Sequence, residues 1–174
     1  MSLKLGKLEP KLDLRTLSFK FVLENITLPP IPEVYDIDDD CLKVNIPLSL
    51  FGNDRYGDCV IAFRANQTLR FEQYSQNKVL PITTNDCINQ YWKEEAEESG
   101  ASNCALINFL SGKGWNSHPD RGLVVLDSLN SWRKDGWKLS DGKTYKIYAF
   151  AKLNIQHHEE LKYAVTLLSG AGME

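Results

Sequence analysis

The stretch FGNDRYGDCVIAFRANQTLRFEQ, residues 51–73, sets two glycines and two aspartates directly against a mostly apolar helical pattern, with Cys59 at the seam. No other feature constrains the fold as tightly. A turn over Gly52–Gly57 has to deliver a helix that begins near Cys59 and runs to about Tyr74, with Asp58 as its N-cap. The spacing gives that helix an inner face of Ala62, Phe63, Asn66, Leu69 and Gln73.

A cysteine in a first helical turn faces the positive end of the macrodipole and several unpaired N–H groups. That setting favours thiolate, the nucleophilic form. The same N–H groups can receive an oxyanion, and Asn53, six residues upstream, can add a side-chain N–H. Gly57 keeps the approach to the backbone open. Cys59 is therefore a candidate nucleophile. The competing assignment is an ordinary core cysteine, and the carboxylate of Asp58 next to it works against the thiolate.

Residues 1–50 read as an extended arm, because Leu28-Pro29-Pro30-Ile31-Pro32 favours polyproline II and blocks helix. Short strands are expected near Ser18–Leu23 and Leu42–Ile46. Residues 51–174 form the main portion. A second helix follows the capping residues Thr83-Thr84-Asn85-Asp86 and runs to about Glu98. Residues 99–119 read as a loop. A third helix fits Asp120–Lys134 and ends at Gly136. Ser140-Asp141-Gly142-Lys143 reads as a hairpin turn, Tyr145–Leu153 as a strand, and Gln156–Leu168 as a last helix. The acidic run Lys93-Glu94-Glu95-Ala96-Glu97-Glu98 reads as a solvated helix face. Trp92 and Trp132 are expected in the core, whereas Trp115 in the loop is a candidate for lining a peptide cleft.

A net charge of −3 gives no electrostatic reason to expect nucleic acid. No stretch approaches the ~20 apolar residues of a membrane helix, and the first residues lack the apolar core of a signal peptide. A cytoplasmic protein is the expectation, with Cys41, Cys59, Cys87 and Cys104 as free thiols. There is no C-x-x-C pair for zinc, and the Asp36/Asp38/Asp40 cluster fails the calcium-loop pattern at Cys41 and Pro47. No cofactor is expected.

The junction resembles the nucleophile region of papain-like cysteine peptidases, which place an amide side chain six residues before the cysteine that opens their central helix. Here the pair is Asn53 and Cys59. The stretches LGKLEPKLDLRTL, FGNDRYGDCVIAFRANQ and DRGLVVLDSLNSWRKDGW resemble papain-like proteins of phages and bacteria. The resemblance implies an α+β, papain-like fold with a helical half carrying Cys59 and a sheet half carrying the histidine. It implies hydrolysis of a peptide or amide bond, with Cys59 as nucleophile, Asn53 in the oxyanion hole, and Gly57 and Asp58 beside the substrate. A histidine ~130–150 residues beyond the cysteine falls past Glu174, so an incomplete sheet half is expected. The base then comes from a missing segment, a partner chain or His118. The alternative is a non-catalytic scaffold, associated with a phage particle or a host, whose exposed face is covered by a partner or by self-association.

Overall fold

The helix expected to open at Cys59 does open there. The computed structural model describes residues 6–36, 39, 43, 45–99 and 120–168. Among them are five helices and one two-stranded antiparallel sheet, an α+β arrangement: α1 Phe19–Glu24, α2 Cys59–Gln76, α3 Thr84–Ser99, α4 Val125–Lys134, β1 Trp137–Lys138, β2 Thr144–Tyr145 and α5 His158–Leu168. The chain divides into two units. One is drawn from Met1–Lys11, Leu48–Asn66 and Pro81–Lys146, the other from Leu12–Pro47, Gln67–Leu80 and Ile147–Glu174. Residues 1–50 are thus shared between the units.

In the first unit, α2 starts as the Asp58 carbonyl accepts the N–H groups of Ile61 and Ala62, both at 2.9 Å. Its buried residues are Ile61, Ala62, Arg64, Ala65, Gln67, Thr68 and Leu69, so Ala62 and Leu69 face inward as expected while Phe63 is 38% exposed. The inner face therefore departs from the one predicted at Phe63 and Arg64, because Arg64 turns inward to a buried partner. Helix α3 opens with a reciprocal box: Asp86 N–H donates to Thr83 Oγ1 at 3.1 Å, and Thr83 N–H donates to Asp86 Oδ2 at 2.9 Å. Asp86 Oδ1 also accepts the Ser140 N–H at 3.0 Å, which ties the hairpin to this helix start.

The acidic run on α3 is not a solvated face. Glu94 and Glu95 are 3% and 1% exposed. Arg64 donates to both Glu94 oxygens at 2.7 and 3.1 Å and to the Ser128 carbonyl at 2.9 Å, and Gln90 donates to Glu94 at 2.7 Å. The Arg64 guanidinium also lies 5.2 Å from the Trp132 ring centre. A helix-spaced run of acids looks the same in sequence whether its face meets water or a buried arginine.

Helix α4 begins at Val125, not Asp120. The residues before it are extended: Leu123 pairs with Lys7 in a parallel bridge, and Gly122 has a φ of +86° that an α-helix does not accommodate. Gly136 ends α4 as expected, with a φ of +79° and its N–H on the Ser131 carbonyl at 3.2 Å. The hairpin turn also forms, pairing Trp137 with Tyr145 and Lys138 with Thr144 around Gly142 at φ +81°. The strand predicted over Tyr145–Leu153 is mostly absent: only Thr144–Tyr145 is a strand, and Lys152 makes an isolated bridge to Ser18. Trp92, Trp132 and Trp137 are buried.

In the second unit, residues 19–24, read as a strand, form α1, which packs on α5. Phe19 and Ala164 are its buried apolar residues on these helices. The Phe19 N–H donates to the Lys152 carbonyl at 2.8 Å, and the Lys152 N–H to Leu17 at 2.8 Å. At the start of α5, His157 is exposed and its Nδ1 faces Glu160 at 3.3 Å. The end of α2 also falls here: Asn77 adopts φ +51°, and Lys78 N–H donates to the Glu72 carbonyl at 3.3 Å. The strand expected near Leu42–Ile46 lies largely outside the described residues.

Candidate functional site

Cys59 opens α2 two residues after Gly57, and the backbone at Gly57 is clamped. Its N–H donates to both carboxylate oxygens of Asp120, at 3.1 and 3.0 Å. Tyr91, fully buried on α3, donates its hydroxyl to Asp120 and accepts the Gly122 N–H at 3.0 Å. Burial, with the Asp120 hydrogen bond second, pushes the Tyr91 phenol up, so it stays a donor. Tyr91 and Tyr56 both pack on Trp92, the first tilted with ring centres 4.7 Å apart and the second edge to face at 5.6 Å.

A third segment completes the arrangement. The Gly6 carbonyl accepts the Leu123 N–H at 2.8 Å, and Leu8 N–H donates to the Leu123 carbonyl at 3.0 Å. Gly6, Gly57 and Gly122 therefore meet backbone to backbone. A Cβ at Gly6 would lie 1.7 Å from the Gly57 oxygen, and one at Gly122 would lie 2.1 Å from the Gly6 oxygen.

The half-buried Cys59 thiol is pushed up. Burial is the largest cause and the Asp58 charge adds to it, against downward pulls from the N–H groups of Val60, Gly6 and Cys59 itself. The helix N-terminus acts in the expected direction but burial outweighs it. Among the described residues, no imidazole or ammonium group contributes to the state of this thiol. Cys87 is free and fully buried, and burial pushes its thiol up as well.

Asp58 does not cap α2 with its side chain. It is fully buried and neither carboxylate oxygen has a hydrogen-bond partner among the described residues. Burial raises it to about 7, with the Asp120 and Asp54 charges adding and its own N–H opposing. The missing Cβ of Gly52, at φ +106°, leaves it room: that atom would sit 3.0 Å from Asp58 Oδ2. Asn53 is exposed on the same turn, its N–H on the Leu50 carbonyl at 2.9 Å. His118, Trp115, Cys41 and Cys104 lie outside the described residues.

No family model, curated protein or solved structure matches this chain. Among the described residues no helix is long and apolar enough to cross a membrane.

Sequence reasoning missed Asp120, Tyr91, Gly6 and Gly122. Gly6 and Gly122 carried a signal, since a lone glycine in an extended stretch marks a close backbone approach. Tyr91 and Asp120 carried none, because their partners are remote in sequence.

The raised Asp58 predicts a stability profile. An acid whose folded pKa exceeds its unfolded one is bound more tightly to its proton in the native state. Its contribution is therefore full below about pH 4 and is lost as pH rises through about 7. Glu98, raised to about 7 chiefly by burial, acts in the same direction. Urea unfolding from pH 5 to pH 9 is expected to show stability falling by on the order of 2–4 kcal/mol, and Asp58→Asn should flatten much of that fall. An unchanged slope in Asp58→Asn would mean that Asp58 is ionised or solvated at neutral pH.

Proposed function

We propose that this chain carries a papain-like cysteine-hydrolase site for peptides, with Cys59 as nucleophile, held here in a resting form with the thiol protonated. One observation carries the reading: a length of backbone, Gly6–Leu8, is held against Leu123 and passes the start of the Cys59 helix, as a bound peptide would. In the reaction the Cys59 sulfur bonds to a peptide or amide carbonyl carbon, and its proton passes to a base and then to the departing amine. Water afterwards cleaves the thioester. The N–H groups of the first turn and the Asn53 carboxamide receive the oxyanion. Gly57 keeps the approach to the backbone open, and His118 or a partner chain's histidine is the base.

The test is labelling by a peptidyl chloromethyl ketone, read by mass spectrometry at Cys59. Labelling at pH 7.5 that is lost in Cys59→Ala and reduced at least tenfold in His118→Ala is expected. A Cys59 that reacts with iodoacetamide only at alkaline pH, and never with the peptidyl reagent, would sink the proposal.

That second outcome fits the other reading, a non-catalytic scaffold. The raised thiol favours it, and so do Leu12, Leu14, Phe21 and Val34 of the second unit, exposed at 76%, 90%, 58% and 83%. A scaffold of this kind would take a protein partner or self-associate.

A further inference from the structure

We infer that the backbone edge at residues 122–124 is a slot for an extended peptide with glycine at the position passing Gly57, and that residues 6–8 fill it as a built-in competitor. The inference rests on the peptide-site reading above and names the substrate class of that site.

The pairing uses main chain only. Leu123 donates to the Gly6 carbonyl and accepts from the Leu8 N–H, at 2.8 and 3.0 Å. Any extended peptide can offer the same two groups, which is how a peptide adds to an exposed strand edge. Selectivity comes from the close approach. A Cβ in place of the Gly6 hydrogen would meet Gly57 backbone, with its oxygen at 1.7 Å and its carbonyl carbon at 2.0 Å. Backbone does not rotate aside as a flexible side chain does, and the Gly57 N–H is fixed on Asp120, which Tyr91 holds in turn. The opposite wall is also glycine: Gly122, at φ +86°, has room for the passing carbonyl only because it lacks a Cβ. The slot is thus closed by the Gly57 backbone to any occupant with a Cβ at that position, two residues from Cys59.

The occupant is held weakly enough to exchange. Among the described residues, the bridge of Lys7 with Leu123 joins it to the edge, the Gly6 N–H reaches the Cys59 sulfur, and the exposed Lys11–Asp127 pair ties it down further along. An exposed pair of this kind adds little. While seated, the segment lies at the Cys59 sulfur, which the Gly6 N–H reaches, and so stands in the way of a reagent.

The test uses the full chain and reads iodoacetamide alkylation of Cys59 at pH 8 by mass spectrometry. Leu8→Pro removes the N–H that Leu123 accepts, and alkylation should quicken about tenfold. A free peptide of sequence LKLGKLEPK should slow it again, and the same peptide with alanine at the glycine position should not. A wild-type rate in Leu8→Pro, or equal protection by the two peptides, would overturn the inference. Should Leu8→Pro fail to fold, amide exchange in the wild-type chain decides. The Leu8 and Leu123 amides should exchange at least tenfold faster than those of Ala65 and Leu69 within α2. Exchange at one common rate would mean the segment never leaves on its own, and the inference falls. Peptide hydrolysis is not read in either experiment, so a chain that protects Cys59 selectively but cleaves nothing would refute the hydrolase reading and leave the slot standing.

Discussion

Arg64→Ala is expected to destabilise the first unit by about 3–5 kcal/mol, the largest single-residue effect in the chain. The guanidinium is 2% exposed and satisfies both oxygens of a carboxylate that is itself 3% exposed. Truncation leaves Glu94 charged in a dry interior with, among the described residues, only the Gln90 amide still donating to it. It also removes the donors to the Ser128 carbonyl and hydroxyl and the packing over Trp132. The loss is a large part of the ~5–15 kcal/mol that a domain has in total. Calorimetry should show a melting temperature lower by roughly 10–15 °C. The charge argument makes a second demand. Replacing both partners by apolar residues, Arg64→Met with Glu94→Leu, should recover most of the loss, since no uncompensated charge remains. A single variant within about 1 kcal/mol of wild type would mean the pair is hydrated in solution.

Gly122→Ala is expected to cost roughly 3–5 kcal/mol, and Gly142→Ala about 1–2. The two glycines have nearly the same backbone, φ +86° and +81°. The conformational strain of a side chain is therefore common to both. They differ in space: nothing lies within 4 Å of a Cβ at Gly142, while one at Gly122 would meet the Gly6 oxygen at 2.1 Å. The difference between the two variants measures the close approach alone. Denaturant unfolding of each gives it directly. Equal losses would mean that the segment at Gly6 moves aside at no cost, and that the three-glycine contact contributes nothing to stability.

Local signals were legible and remote ones were not. The Gly52–Gly57 turn and the helix starting at Cys59 follow from neighbours within a few residues, as do the Thr83–Asp86 box, the Gly136 stop and the hairpin at Gly142. Burial of Glu94 and Glu95 was not legible, because their helical spacing is equally that of a wet face. Phe63 was assigned inward and Arg64 was overlooked for the same reason: hydrophobicity ranks residues singly, and an arginine goes inside only when a paired acid awaits it. The strand read over Tyr145–Leu153 fails because a strand needs a partner edge, and only Thr144–Tyr145 and Lys152 find one.

The candidate site divides along the same line. That a cysteine opens a long helix behind a glycine-rich turn follows from local chemistry, since capping, turn chemistry and helical periodicity all act over a few residues. The state of that cysteine follows from packing between remote segments. That packing brings Gly6 and Gly122 onto Gly57 from distant parts of the chain, fixes Gly57 through Asp120 and Tyr91, and leaves Asp58 buried with no hydrogen-bond partner among the described residues. The macrodipole that favours a thiolate is a property of one helix. The desolvation that overrides it is a property of everything packed around that helix, and is set only once the chain has folded.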